Sequence, residues 1–118
     1  MRTEHNKLVR DKIPEIIRTS GNQCETTTLS NLDYIEALRQ KLVEEAKEAA
    51  IAPDKDLPQE LADVYEVIDA LIAATGIEPE KVREIQKHKR CLRLASQSQR
   101  GGFDNKIKLL WTETNKQP

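Results

Sequence analysis

Two apolar stripes at helical spacing, joined by a link too short for anything but a reversal, constrain this chain more than any other feature. In residues 31–51, Leu38, Leu42, Ala46 and Ala49 recur at three- and four-residue intervals, the period of one face of an α-helix. Around residues 57–75 the pattern returns in Leu57, Leu61, Val64, Ile68, Leu71 and Ile72. Ser30 and Asp33 form a capping signal that opens the first of these helices. Pro53 ends it, because the residue before a proline avoids the helical region. Residues 54–56 make a tight polar turn, Pro58 fits the first turn of the second helix, and Gly76 stops that helix near Thr75. Helices joined by so short a link lie antiparallel, so the two stripes face each other.

The flanks read less firmly. Asp11 is placed to cap a short helix with Pro14 in its first turn and Gly21 at its end. Residues 23–29, with Cys24 and Thr26 to Thr28, have the β-branched and compact content of a short strand. Pro79 starts a third long helix that runs through Val82, Ile85 and Leu92 to about Ser96. Arg100 to Phe103 is a turn, and Ile107 to Trp111 is an apolar segment expected to pair as a strand with residues 23–29. Residues 112–118 read as a frayed polar tail. The expected fold is therefore mainly α: an antiparallel long-helix hairpin or bundle, with a minor two-strand element, in one domain of 118 residues.

Composition narrows the functions. Hydrophobic residues are 37% of the chain and aromatics 3%, which makes a thin core of Leu, Ile, Val and Ala. So thin a hairpin is expected to bury a further face in a homo-oligomer. A formal net charge of -1 is not the footprint of a nucleic-acid-polymer binder. No apolar run approaches the roughly 20 residues that span a bilayer, and the first ten residues have no signal-peptide character. Cys24 and Cys91 are isolated and match neither a zinc motif nor a disulfide framework, in keeping with a cytoplasmic protein.

The chemistry is acidic. Glu45 lies three residues after Leu42 and four before Ala49, so it points into the apolar stripe. Glu48 is one turn further along at the stripe's edge, and Glu44 points further out. On the second helix Glu60 borders the stripe and Asp63 follows at i+3. Folding the hairpin brings Glu45-x-x-Glu48 and Glu60-x-x-Asp63 together near the link. Part-buried carboxylates that close repel, and a hard divalent cation relieves them: Mg²⁺ takes oxygen ligands, keeps waters and recruits phosphates. The bland alternative is a solvated acidic flank in which Lys41, at i-4, simply pairs with Glu45.

Residues 41–49 and 59–64 resemble the two metal motifs of the MazG-like all-α nucleotide pyrophosphohydrolases. The opening Asn6-Lys7-Leu8-Val9-Arg10-Asp11-Lys12-Ile13-Pro14 and the Arg100-Gly101-Gly102-Phe103 turn followed by an apolar segment resemble the phosphoribosyl-ATP pyrophosphohydrolase-like branch. The resemblance covers residues 6 to 111. It implies a dimer or tetramer in which Glu45, Glu48, Glu60 and Asp63 hold Mg²⁺, with Mn²⁺ as the substitute ion. It implies cleavage between the α- and β-phosphates of a nucleoside triphosphate or related nucleotide, releasing a monophosphate and pyrophosphate. Glu44 or Glu48 would orient or deprotonate the attacking water. Arg100, Lys106, Lys7, Arg10 and Lys12 are the phosphate-binding candidates, Arg100 foremost because neighbouring glycines let backbone approach an anion. Two alternatives stay open: phosphoribosyl-ATP hydrolysis in histidine synthesis, and a helical interaction module without catalysis. His5 and His88 lack metal-ligand spacing and no Walker-type glycine loop is present.

Overall fold

A computed structural model describes residues 1–91 and 99–115 of the chain. Four helices appear in order: α1 (Ile13–Thr19), α2 (Asn31–Ile51), α3 (Leu57–Ala74) and α4 (Pro79–Arg90). The punctuation residues act locally where expected. Ser30 is the N-cap of α2, and its hydroxyl accepts from the Asp33 backbone N–H at 3.2 Å. Ala52, forced extended ahead of Pro53, terminates α2. The turn then closes through the Asp56 N–H donating to the Pro53 carbonyl at 2.9 Å. Past the end of α3, Gly76 takes φ +72, a left-handed conformation that glycine adopts without a Cβ penalty.

α2 and α3 are the helices that pack on one another, among the described residues. Their antiparallel register is plain from sequence spacing: Glu45 and Asp63, equidistant from Asp54 in the turn, meet across the seam. Deeper along the seam Leu38, 3% exposed, and Val67 form the buried core.

Three expectations need correction. No strand occurs among the described residues, so the two-strand element of residues 23–29 and 107–111 is not formed. Neither segment carries a ladder. Leu109 and Leu110 stand exposed, so no apolar face drives pairing. Asp11 does not cap α1: Lys12 occupies the N-cap position, no side chain bonds there, and proline takes the first turn. In α3 the buried position is Val67, while Leu61 is exposed. The rest of the expected stripe, Leu57, Val64, Ile68, Leu71 and Ile72, is part-buried, and Glu60 and Asp63 are part-buried beside it. Among the described residues α4 spans Pro79–Arg90. Its expected continuation through Leu92 to Ser96 lies outside the described residues, as does the end of the polar tail.

The chain divides into two compact units, residues 1–79 and residues 80–118. In the first, α1 and the segment after it fold back together, with the Arg18 guanidinium donating to the Cys24 carbonyl at 3.5 Å. In the second, α4 ends in a basic turn of Lys87, His88, Lys89 and Arg90. The Arg100 and Gly101 N–H groups both donate to the Lys89 carbonyl, at 2.9 and 2.8 Å. None of the four helices is long and apolar enough to cross a membrane.

Candidate metal centre

The hairpin sets up the site: Glu60 and Asp63, part-buried on α3, meet Glu45, which is buried on α2. One oxygen from each of Glu45, Glu60 and Asp63 lies within 4.8 Å of the others. Glu45 is only 8% exposed, a rare degree of burial for a glutamate without full pairing. Two oxygens, Glu45 Oε2 and Glu60 Oε2, are buried with no hydrogen-bond partner. A lone buried carboxylate oxygen costs free energy unless something meets it.

The electrostatics agree with the geometry. The Glu45 carboxyl is raised above its ordinary value of 4.5, first because burial strips its water, then because Glu48 and Asp63 crowd it with like charge. Lys41 opposes the shift from one turn back, its ammonium 3.5 Å from Glu45 Oε1 and 3.6 Å from Glu44 Oε2. The Lys41–Glu45 pair of the bland reading is thus present. It leaves the second Glu45 oxygen unmet.

Two more cations reach the acids from the amino-terminal segment. The Arg10 guanidinium donates to Asp63 Oδ1 at 2.7 Å, and Lys7 lies 3.7 Å from Glu44 Oε1. Both were phosphate-binding candidates, and here both engage carboxylates. Lys12 stays exposed at the head of α1, with no ion pair among the described residues. Formally, the carboxylates of Glu44, Glu45, Glu48, Glu60 and Asp63 face the cations of Lys7, Arg10 and Lys41. The two uncompensated negative charges equal the charge of one divalent ion.

The expected ligands therefore separate. Glu45, Glu60 and Asp63 converge. Glu48 is exposed and sits outside that triad, near enough to crowd Glu45 with like charge. Glu48 instead lines a hollow of about 250 Å³ at the link end of the hairpin, with Ile51, Ala52, Pro53, Asp56 and Glu60. Arg100 and Lys106 belong to the other unit, where Arg100 is exposed and Lys106 takes φ +57 in a turn closed by its N–H on the Phe103 carbonyl at 3.2 Å. Sequence reasoning missed the Arg10–Asp63 contact. The partners are 53 positions apart and no local pattern announces them.

Comparison with known proteins adds a relative without an activity. No family model matches the chain, and no solved structure matches it. A protein of Mycolicibacterium smegmatis described as uncharacterized is 48% identical over 50 residues, covering 42% of this chain and 51% of that protein. The chain thus spans about half the length of the curated relative it matches, and what it is similar to has no stated chemistry.

Proposed function

We propose that this chain is a Mg²⁺-dependent nucleotide pyrophosphohydrolase that cleaves the α–β phosphoanhydride of a nucleoside triphosphate or related nucleotide. The observation that carries the reading is the pair of buried, unpartnered oxygens of Glu45 and Glu60 beside Asp63. The donor set fits a hard cation: three carboxylates and no soft ligand. The spacing fits too. In an octahedron with bonds of about 2.1 Å, neighbouring ligands stand about 3.0 Å apart and opposite ones about 4.2 Å. The three oxygens, within 4.8 Å of one another, would draw together by up to about 2 Å to share one ion, a movement within the reach of rotating carboxylates.

Glu45, Glu60 and Asp63 would hold the ion. When bound, the ion polarises phosphate oxygens and lowers the pKa of a bound water. Glu48 is exposed on the hollow beside the triad, so it is placed to accept a proton from water there. Glu44, held by Lys7 and Lys41, is less suited to that role. The hollow is smaller than the roughly 300–1,000 Å³ pockets that enclose whole small molecules, and Glu48, Asp56 and Glu60 line it, so it admits a phosphate only together with the cation that neutralises those acids. The base then has to be met by other surface. Leu61 and Tyr65 project from α3 into solvent one turn apart, an apolar pair that supports a homodimer or homotetramer completing the site.

The test offers the purified chain a panel of nucleotides with Mg²⁺ and assays pyrophosphate release. Release that falls on the order of 100-fold or more in Glu45→Ala and in Asp63→Ala, and is kept in His88→Ala, supports the reading. Orthophosphate without pyrophosphate would redirect it to another phosphohydrolase. A chain that turns over no nucleotide, with a melting temperature indifferent to Mg²⁺, would be an interaction module.

A further inference from the structure

Resting on the metal-site reading above, we propose that the amino-terminal arm regulates that site by cation exchange: Arg10 and a divalent ion compete for the Asp63 carboxylate, and the ion binds by lifting the arm from the hairpin. Arg10 meets Asp63 of α3 through a charge-assisted hydrogen bond of 2.7 Å. Three positions earlier Lys7 meets Glu44 of α2 at 3.7 Å. The arm is thus tied to both helices of the hairpin by charge. Little else ties it. None of residues 1–12 is buried, and exposed ion pairs are individually weak.

The charge that holds the arm is the charge a metal would neutralise. Asp63 shares its triad with Glu45, more than nine-tenths buried, whose Oε2 has no partner. Arg10 satisfies Asp63 and leaves that oxygen unmet, so the arm is an incomplete answer to the site. A cation held by Asp63 Oδ1 at the roughly 2.1 Å of a Mg–O bond would stand within about 5 Å of the Arg10 nitrogen. At that separation the dication and the guanidinium repel, and the exposed partner yields. Once released, the guanidinium sits at the rim of the site with a planar fork of donors that suits phosphate. One residue then neutralises an acid before the ion arrives and meets the substrate's phosphates afterwards.

The experiment titrates Mn²⁺, the EPR-visible stand-in for Mg²⁺, into the full chain without nucleotide. It compares the natural sequence with Arg10→Ala, Arg10→Lys and Lys7→Ala, and follows backbone hydrogen exchange of residues 1–12. Arg10 is exposed, so its loss spares the hairpin core. Arg10→Ala is expected to bind Mn²⁺ roughly fivefold tighter, after discounting for solvent screening. Lys7→Ala should shift in the same direction by less, and Arg10→Lys should stay near the natural chain. In the natural chain, Mn²⁺ should speed exchange in residues 7–12. Unchanged or weaker binding in Arg10→Ala, or arm exchange that slows with the ion, overturns the exchange and leaves the metal site standing. No Mn²⁺ binding by any of these chains overturns both.

Discussion

The helical hairpin and the carboxy-terminal unit divide the molecule's charge and its core unequally. Residues 1–79 carry 16 acids against 9 bases, while residues 80–118 carry 4 acids against 10 bases. The near-neutral total conceals two regions of opposite sign. Among the described residues the buried apolar positions, Leu38 and Val67, are both in the hairpin. In the carboxy-terminal unit Phe103 is 99% exposed and Trp111 74%. The difference teaches what each region can do alone. The hairpin has enough apolar seam to bury a glutamate, and burial is what gives a carboxylate an appetite for metal. Among its described residues the carboxy-terminal unit has cations and exposed apolar side chains but no buried position.

That contrast can be broken by stability measurements. The largest effect belongs to Leu38→Ala, which opens a cavity in the seam and should cost about 2–4 kcal/mol in denaturant unfolding. A cost below about 1 kcal/mol would mean that the hairpin is not where the chain's stability resides.

A smaller effect sharpens the link between burial and charge. The Glu45 carboxyl is raised in the folded chain, so between its ordinary value and its raised one the fold holds a proton that the unfolded chain has released. Its stabilising contribution is complete below pH 4.5 and is lost as pH rises through the raised folded value. With chelator present, Glu45→Gln removes that loss. The variant should be more stable than the natural chain near neutral pH by about 1 kcal/mol, with the gap shrinking toward pH 4.5. Lys41 keeps Glu44 as a partner in that variant. Saturating Mg²⁺ should raise the melting temperature of the natural chain and leave Glu45→Gln nearly unmoved. A gap that widens as pH falls would reverse the sign and break the account.

The smallest effect is expected in the other region. Trp111→Ala removes the chain's single tryptophan from an exposed position and should change unfolding free energy by less than about 0.5 kcal/mol. A loss comparable to that of Leu38→Ala would show that the carboxy-terminal segment buries its apolar residues in solution, against a second copy or another surface, and the contrast would fall.

By itself the sequence determined the helical punctuation and the inward acid. Ser30, Pro53, Pro58, Gly76 and Pro79 act on backbone dihedrals within a residue or two, so their effects are readable without knowing what lies across the fold. Glu45 was legible for the same reason, since its neighbours at i-3 and i+4 define its face. Only the tertiary structure decided how deep each position of the α3 face lies, burying Val67 and leaving Leu61 exposed, because depth depends on what packs across from it. It alone left residues 23–29 and 107–111 unpaired, since β-propensity without a buried face does not make a ladder. And it alone brought Arg10 to Asp63, because a contact across 53 positions depends on where the hairpin presents its charge and on nothing in the intervening residues.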